Sequence, residues 1–549
     1  MTALLTDNLP LMAGAPNGIK KLRELILELA VRGKLVPQDP NDEPASELLK
    51  RIAEEKKRLA AEGKIKKNKQ EEYEVTEVHY SIPENWDVTS LGQVVEIVRG
   101  ITFPASEKSR TPEPGRVACL RTANVQDEIE WDDLLYIRES FVSREDQYIQ
   151  PHDIVMSMAN SRELVGKVAI IDVELTQKTS FGGFLGVLRP VFIEPRFVMA
   201  LLRTPHARSA LIDSSSQTTN IANVSLAKLK PLPFAIPPLP EQHRIVAKVD
   251  ELMALCDRLE AEQAEAKNAH TQLVQALLDS LTQASDATDF ATNWQRLAEH
   301  FHILFTTESS IDALKQTLLQ LAVMGKLVPQ DPNDEPASEL LRRIAEERES
   351  CVAGRRSAKH TTLPSTDDTE KTFELPSGWE WVRLQQIISV SSGDGLVSAN
   401  MKVEGGIPVY GGNGVTGYHD KKNIDKATLV IGRVGYYCGS IHLTPASAWI
   451  TDNALIVSFS EENLYKNFLF WLLKGTNLKE QENATAQPVI SGRKIYPIVL
   501  AIPPLAEQHR IVAKVDQLMA LCDQLKTSLT QARQLNEQLA STMIEQAVA

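Results

Sequence analysis

A 25-residue segment occurs twice in this chain of 549 residues, and the duplication constrains the fold more than any other feature. The first copy, AIPPLPEQHRIVAKVDELMALCDRL, begins at Ala235, and the second, AIPPLAEQHRIVAKVDQLMALCDQL, begins at Ala501. The copies differ only at Pro240/Ala506, Glu251/Gln517 and Arg258/Gln524. We call them the B segments. Two copies so far apart are too few for a stacked solenoid.

A second duplicated segment precedes each globular part of the chain. LAVRGKLVPQDPNDEPASELLKRIAEEK begins at Leu29, and LAVMGKLVPQDPNDEPASELLRRIAEER begins at Leu321. We call these the A segments. The chain therefore reads A, globular segment 1, B, A, globular segment 2, B. This order predicts a duplicated half-molecule with an approximate twofold axis, folding as a covalent homodimer would.

Each A segment is predicted to form a helix, a turn and a second helix. Gly33 follows an amphipathic stretch in the first copy and is suited to end the helix, as is Gly325 in the second. Ser309 or Ser310 is placed to cap the second copy of this helix. The prolines of VPQDPNDEP then prevent the helix from continuing.

Each B segment begins an apolar seam that is typical of a coiled coil. In the first copy Ile245, Val249, Leu252, Cys256 and Leu259 alternate at spacings of four and three residues. The following residues contain no proline or glycine as far as position 282, which allows one helix of roughly 60 Å. An ordinary amphipathic core helix is the simpler alternative. We expect the two B helices to form a long antiparallel pair that fixes the distance and orientation of the globular segments.

The globular segments differ in sequence but share a plan. Both start at a tryptophan, continue through short strand-like runs and one late helix, and end in the IPPL strand. The predicted fold class is α+β, with two strand-rich globular domains separated by long antiparallel coiled-coil helices in a pseudo-twofold internal repeat. The predicted domains are the helical region 1–78, globular domain 79–236, central helical region 237–372, globular domain 373–502 and C-terminal helix 503–549.

Composition and motifs exclude several classes of protein. There is no P-loop, no H-E-x-x-H, no G-x-S-x-G and no adenine-methyltransferase motif, so the sequence predicts no catalytic residues and no metal site. The five cysteines form no C-x-x-C pair, which favours a reducing compartment. No apolar run is long enough to span a membrane and the first residues lack a signal peptide's basic start, so we expect a cytoplasmic protein without membrane partners.

The net charge of −13 is concentrated outside the globular segments. Residues 82–235 carry 16 Lys and Arg against 19 Asp and Glu, and residues 375–501 carry 11 against 10. The repeated helices therefore hold most of the acid. A nearly neutral domain can still present a basic face, so the charge permits binding to DNA without indicating it.

The order of segments, the tryptophan at each domain start and the IPPLxEQxxIVxKVD sequence together resemble the specificity subunits of type I DNA restriction–modification enzymes. The resemblance implies that each globular segment is a target recognition domain that reads one half of a split, asymmetric site in double-stranded DNA. It also implies that the helices set the spacer and dock two modification subunits. S-adenosylmethionine would be bound by those subunits, restriction subunits using ATP and Mg would join them, and this chain would bind no cofactor.

Given that resemblance, candidate DNA contacts are polar residues in predicted loops. Arg and Lys read guanine, Asn and Gln read adenine, Ser and Thr read either, and basic side chains also bind phosphate. The candidates in segment 1 are Arg121, Thr122, Asn124, Asn160, Ser161, Arg162, Lys167, Gln217 and Asn220, and those in segment 2 are Tyr410, Asn413, Lys421, Lys422, Arg433, Gln487, Arg493 and Lys494.

Two other functions are compatible with the sequence. A single-chain methyltransferase or nuclease with degenerate motifs would transfer a labelled methyl group or cut DNA without a partner. A scaffold that carries two β-rich modules on a coiled coil would show no sequence-specific retention of duplex DNA.

Overall fold

The structure is a computed structural model that describes residues 12–65, 78, 80–161, 164–213, 216–218, 221–224, 229–353, 370–476, 478 and 489–548. The chain divides into two compact units. Unit 1 contains Met1–Glu265 and Arg533–Ala549, and unit 2 contains Ala266–Ala532. The predicted central region 237–372 is thus shared between the units. Within the described residues, no helix combines the length and apolarity needed to cross a membrane.

The helices and strands are numbered in chain order. The principal helices are α1 (Gly18–Val31), α2 (Ala45–Ala61), α3 (Leu91–Val94), α4 (Pro195–Arg203), α5 (Pro205–Asp213), α6 (Leu239–Thr282), α7 (Ala287–Glu299), α8 (Phe301–Leu304), α9 (Glu308–Val323), α10 (Ala337–Ala353), α11 (Leu384–Ile387), α12 (Lys466–Gly475), α13 (Gly492–Ile495) and α14 (Leu505–Val548).

The strands of segment 1 are β1 (Asp87–Ser90), β2 (Val95–Arg99), β3 (Arg116–Leu120), β4 (Leu135–Arg138), β5 (Ile154–Ser157), β6 (Ala159–Asn160), β7 (Val168–Ile170), β8 (Thr179–Phe181), β9 (Leu185–Pro190), β10 (Ser216–Thr218), β11 (Ile221–Asn223) and β12 (Pro233–Ile236). Those of segment 2 are β13 (Glu380–Arg383), β14 (Ile388–Ser392), β15 (Ile407–Gly411), β16 (Gly414–His419), β17 (Leu429–Gly432), β18 (Ile441–Leu443), β19 (Trp449–Ile450), β20 (Ala454–Phe459) and β21 (Val499–Ile502).

Globular segment 1 is built from small sheets around an apolar core. The order β2-β9-β5-β7 is antiparallel throughout, while β4-β3-β8 contains the parallel pair β3 and β8. Strand β5 is buried along its whole length and pairs with neighbours on both sides, as expected of an apolar central strand. Strand β1 pairs with β12, with Asp87 opposite Ile236, so the segment's start and end are joined.

Globular segment 2 repeats this topology in unit 2. Its sheets are β14-β20-β17-β18 and β16-β15-β19, the second again with one parallel pair, β15 and β19. Strand β13 pairs with β21, with Glu380 opposite Ile502. Equal topology on dissimilar sequences confirms the predicted α+β repeat.

The B segment of unit 2 begins its long helix with a buried carboxylate that joins three parts of the unit. Glu507 accepts a hydrogen bond from Trp379 Nε1 at 2.9 Å and another from Gln330 Nε2 at 3.2 Å. Trp379 lies at the start of globular segment 2, and Gln330 lies in the turn of the A segment. The helix, the domain start and the A turn are therefore held at a single side chain.

The same arrangement recurs in unit 1. Glu241 is 1% exposed and accepts a hydrogen bond from Gln38 Nε2 at 2.8 Å. Burial raises the pKa of Glu241 and of Glu507; the hydrogen bond from Gln38 opposes the rise at Glu241, and those from Trp379 and Gln330 oppose it at Glu507. In both carboxylates, hydrogen bonds from protein side chains thus replace hydrogen bonds to water.

The glutamine after each buried glutamate fixes the late helix of its globular segment. Gln242 Oε1 accepts the backbone N–H of Glu194, the N-cap of α4, at 2.8 Å. Gln508 Oε1 accepts the N–H of Tyr465, the N-cap of α12, at 2.9 Å. In both copies the amide nitrogen donates to the carbonyl of a proline in the preceding IPPL sequence. The backbone N–H at the start of each late helix has no partner within that helix, and the glutamine of the B helix accepts its hydrogen bond.

The first part of the apolar seam holds each unit together. Ile245, Val249 and Cys256 of α6 are buried in one core with α1 and α4, and the matching residues of α14 are buried with α9 and α12. The last turns of α14 add Ala547 to the core of unit 1, and those of α6 add Leu278 to the core of unit 2. Direct antiparallel pairing of the two long helices stays a prediction.

An ion pair between the A helix and the B helix is repeated in both units. In unit 1 Arg23 of α1 lies 2.6 Å from Asp257 of α6. In unit 2 Lys315 of α9 pairs with Asp523 of α14, which occupies the position of Asp257. This polar contact borders the same apolar interface in each unit.

A second ion pair, one turn further along the B helix, is reversed in sign. In unit 1 Glu260 of α6 binds Arg23 at 2.8 Å. In unit 2 the corresponding residue is Lys526, which binds Asp312 of α9 at 3.0 Å. In α1, Lys20 is the residue that corresponds to Asp312 in the repeat. The two A–B interfaces therefore have opposite charge patterns at equivalent positions.

The predicted cap of α9 at Ser309 or Ser310 is wrong. The helix begins at Glu308, and Thr307 is its N-cap. Thr307 Oγ1 accepts the N–H of Ser310 at 3.1 Å, and Ser310 Oγ accepts the N–H of Thr307 at 3.2 Å. This reciprocal capping box starts the helix earlier than the predicted serines would.

The predicted stops at Gly33 and Gly325 are confirmed. Both residues adopt left-handed backbone angles, with φ of +68° and +71°. A Cβ atom at either position would collide with a proline at the start of the globular segment, Pro83 or Pro376. Glycine is required both for the helix end and for close contact with the next domain.

We expect Glu507→Ala to lower the free energy of unfolding of unit 2 by about 1–3 kcal/mol for each donor that it orphans, Trp379 Nε1 and Gln330 Nε2. Burial raises the folded-state pKa of Glu507, so its contribution to stability is fullest below the unfolded pKa and falls as pH rises. The deficit should therefore be larger near pH 5 than near pH 8. Thermal unfolding of the full chain measures it, with the exposed Glu404→Ala as control. Equal midpoints for the two variants would contradict this role of Glu507.

Candidate nucleic-acid interface

Four segments of unit 2 meet at one edge of globular segment 2. We call edge 2 the turn Gly411–Gly414, the loop Arg433–Ser440, the turn Thr451–Asn453 and the stretch Val489–Arg493. Ser440 Oγ donates to Gly412 O at 2.9 Å, Arg433 N donates to Asn453 O at 2.9 Å, and Ile490 N donates to Arg433 O at 2.9 Å. These bonds bring together predicted residues that are distant in sequence.

The glycine at position 412 allows these segments to approach closely. A Cβ atom there would lie 2.6 Å from the carbonyl oxygen of Val434, which is too short for real contacts. The glycine-rich hairpin turn can therefore pack directly against the Arg433–Ser440 loop. The Asn413–Gly414 turn that the sequence predicted is present, with φ of +79° at Gly414.

The predicted side chains of edge 2 are held in different ways. Arg433 Nη1 donates to Ser392 Oγ at 3.2 Å and to Asp452 O at 3.3 Å, which places the half-buried guanidinium at the rim. Asn413 and Arg493 are exposed, and Lys494 is half-buried beside them in sequence. This edge can present the arginine Arg433, the exposed amide of Asn413 and the exposed cation of Arg493 to a polar partner.

The remaining predicted residues of segment 2 lie elsewhere or outside the described chain. Tyr410, at the end of β15, is half-buried, and burial raises the pKa of its phenol. Lys421 and Lys422 are exposed in the loop after β16, where Lys422 pairs with Asp425 at 2.5 Å. Among the described residues, no hydrogen bond joins these two lysines to edge 2. Gln487 lies outside the described residues.

Globular segment 1 has a corresponding edge in unit 1. We call edge 1 the residues Arg121–Gln126, Met158–Ser161, Gly166–Lys167 and Phe181–Leu185, with strands β10 and β11. Strand β6 pairs with β11, with Asn160 opposite Ala222, and Lys167 Nζ donates to Gln126 Oε1 at 2.9 Å. The predicted groups around positions 121, 160 and 217 are therefore brought together.

The individual predicted residues of edge 1 are not equally accessible. Thr122 and Asn160 are half-buried, Ser161 is exposed, and Lys167 is half-buried. Arg121 forms an ion pair with Asp133, so it would have to exchange this partner to bind a base. For Gln217 the structure describes the backbone in β10, while Arg162 and Asn220 lie outside the described residues.

Asn124 has a structural role that the sequence did not predict. It is 1% exposed, its Nδ2 donates to Glu130 O at 2.9 Å and to Asp133 O at 3.1 Å, and its Oδ1 accepts the N–H of Arg121 at 3.0 Å. Both ends of the amide are used inside the protein. We therefore remove Asn124 from the candidate DNA readers and assign it to holding the Arg121 turn.

Three exposed aromatic residues at the edges were missed from the sequence. Phe184 in edge 1 is 67% exposed, and Tyr436 and Tyr437 in edge 2 are 76% and 52% exposed. The tyrosine rings pack edge to face, with their centroids 5.1 Å apart. Their positions in or beside the glycine-rich turns FGGF and GYYCG were the available signal, because side chains in a turn between strands are often exposed.

No group of His, Cys, Asp and Glu side chains suited to a metal ion occurs among the residues that the structure describes. Globular segment 1 does expose acidic residues near edge 1, including Asp127 and Glu128. The chemistry available at both edges is hydrogen bonding, charge and aromatic contact. Such edges are suited to recognition of a polar polymer.

Comparison with known proteins places the chain in a family. The model of the type I restriction modification DNA specificity domain matches residues 83–267 and again 376–534. The chain is similar to the type I restriction enzyme EcoAI specificity subunit of Escherichia coli, at 37% identity over 97% of this chain and 94% of that protein. Similarity to the EcoEI specificity subunit of the same organism is 35%, with the same coverage. The chain belongs to the family of type I restriction enzyme specificity subunits.

A solved structure supports the fold independently. A chain from a type I R-M system, studied for complex assembly and conformational transition, aligns with a TM-score of 0.50 at 19% identity. The alignment covers 85% of this chain and 99% of that chain. The repeated α+β architecture is thus shared with a protein of distant sequence.

We expect Asn124→Ala to destabilise the Arg121 turn by about 1–3 kcal/mol, because a buried backbone N–H and two carbonyls lose their partner. Hydrogen–deuterium exchange over residues 116–135 should then become faster in the full chain. Asn413→Ala, at an exposed amide of the corresponding turn in unit 2, should leave exchange around that turn unchanged. Unaltered exchange in the Asn124 variant would return this residue to the set of candidate readers.

Proposed function

We propose that this chain is the DNA-recognition subunit of a type I restriction–modification complex, in which each globular domain reads one half of a bipartite, asymmetric target. The observation that carries the proposal is the presence of edge 1 and edge 2 at corresponding places in two units of equal topology. Each edge combines loops from three or more sequence regions and carries side chains that can read bases.

The difference between the edges supports an asymmetric target. After the equivalent strand positions Leu120 and Tyr410, segment 1 presents Arg121 and Thr122 where segment 2 presents Gly411 and Gly412. A repeated framework sets equivalent positions for the two readers, while unlike side chains select unlike base sequences. Two identical readers would favour a palindrome instead.

The repeated helices support two docking sites for one partner. Leu273 of α6 and Leu539 of α14 occupy equivalent positions, and both are exposed although they are large and apolar. We propose that each contacts one of two modification subunits, which bind S-adenosylmethionine. Restriction subunits that use ATP and Mg complete the complex, and the present chain is non-catalytic and works in the cytoplasm on double-stranded DNA.

Arg433→Ala should relax or change the half-site read by segment 2 and leave the other half-site intact. Loss of a base-reading arginine costs about 1–3 kcal/mol for its base pair. Arg121→Ala should have the reciprocal effect on the half-site read by segment 1. Sequencing of methylated sites in a host that expresses each variant with the modification subunit measures both targets.

Each variant in this experiment is the control for the other. A change confined to one half-site per variant supports the assignment of one reader to each edge. If either substitution altered both halves equally, or neither half, separate reading by the two edges would be ruled out.

Leu273→Asp and Leu539→Asp should each weaken the binding of one modification subunit by about ten- to 150-fold, because a buried leucine contributes roughly 1.5–3 kcal/mol. The double variant should lose both subunits. Native mass spectrometry of the purified complex gives the number bound. Val173→Asp in globular segment 1 is the matched control at an exposed apolar position, and a similar loss in this variant would refute specific docking at the leucines.

A further inference from the structure

We propose that Phe184 reads thymine in the half-site of segment 1 by contact of its ring with the C5-methyl group. This inference rests on the proposed function and adds the chemical group that one residue recognises. Among the described residues of globular segment 1, Phe184 is the large apolar side chain with the greatest exposure, at 67%. It lies within edge 1, among polar residues.

The backbone that presents Phe184 is firmly held. Its carbonyl accepts the N–H of Met158 at 2.8 Å, next to the β6–β11 pairing. In the same turn Gly182 N donates to Leu120 O at 2.9 Å, and Leu185 N donates to Gly182 O at 2.8 Å. The turn therefore joins the Arg121 and Asn160 parts of edge 1, and the ring projects from a fixed base.

Exposure of this ring is costly unless a partner covers it. Burial of a phenylalanine side chain is among the larger apolar contributions to folding or binding, yet here the turn keeps it in solvent. The side chains of Asn160 and Ser161, which follow Met158 in edge 1, can form hydrogen bonds with a base edge, whereas a phenyl ring cannot. Phe184 must therefore recognise a different chemical feature from its neighbours.

Thymine supplies that feature. The edges of base pairs in the major groove present hydrogen-bond donors and acceptors, and the C5-methyl of thymine is their apolar group. A phenyl ring in an edge that also carries an amide and a hydroxyl is complementary to a half-site that contains both a thymine and polar base edges. Because the ring is fixed by the turn, this contact would select one position in the half-site.

The test uses the chain assembled with its modification subunit and duplexes that carry the mapped target. Deoxyuridine replaces the thymines of the first half-site one at a time, which removes only the methyl group. For the wild-type complex we expect one replacement to weaken binding about fourfold, as loss of one apolar carbon predicts. Phe184→Ala should bind the thymine duplex about tenfold more weakly and should be insensitive to that same replacement.

Phe192→Ala is the matched control, because this phenylalanine is also exposed, at 56%, but lies outside edge 1. It should retain wild-type affinity and wild-type sensitivity to deoxyuridine. Deoxyuridine replacements in the second half-site should affect wild type and Phe184→Ala equally.

The outcomes separate this inference from the proposed function. Sequence-specific binding in which no methyl replacement matters, or in which Phe184→Ala keeps the wild-type sensitivity, overturns the thymine contact alone. Weak binding by Phe184→Ala with no methyl effect in wild type would instead indicate a ring wedged between bases, and it also overturns the proposal. A wild-type complex with no sequence preference overturns the proposed function and this inference together.

Discussion

A buried carboxylate at the start of each long helix is the interaction on which both units depend. Glu507 accepts hydrogen bonds from Trp379 and Gln330, so the B helix, the globular segment and the A turn converge on one side chain. Its environment is expensive to build, because burial opposes the charge and raises the pKa. All three contributing sequences are repeated in unit 1, where Glu241 and Gln38 make the corresponding bond.

This fixed junction separates two tasks within each unit. The helices and the junction keep nearly the same sequence in both halves, and the sheets above them keep the same topology with different residues. Loops at the edges can then change without disturbing the support, because the hydrogen bonds that bring them together are largely made by backbone atoms. A constant support with variable loops therefore allows one protein to carry two domains that recognise different sequences.

The sequence predicted the repeated elements well, because duplication and heptad spacing are local patterns. It failed where tertiary contacts decided the outcome. Asn124 has a side chain that could read adenine, yet both ends of its amide already form hydrogen bonds with the backbone of the Arg121 turn. The sequence did not single out Phe184, because its exposure depends on how the turn packs. The cap at Thr307 depended on a reciprocal bond with Ser310 that helix periodicity does not reveal.

The reversed ion pair between the A and B helices bears on how a duplicated molecule avoids assembling incorrectly. Its two halves have almost interchangeable apolar interfaces, so a helix from one half could associate with the wrong partner during synthesis or between neighbouring copies. Such an exchange would set Lys526 against Lys20 and Arg23, and would set Glu260 against Asp312 while leaving it near Lys315. Like charges at these contacts disfavour the swapped assembly, and opposite charges favour the correct one. The charges of a few surface side chains thus distinguish the helices of one half from those of the other, which the shared apolar seam cannot do.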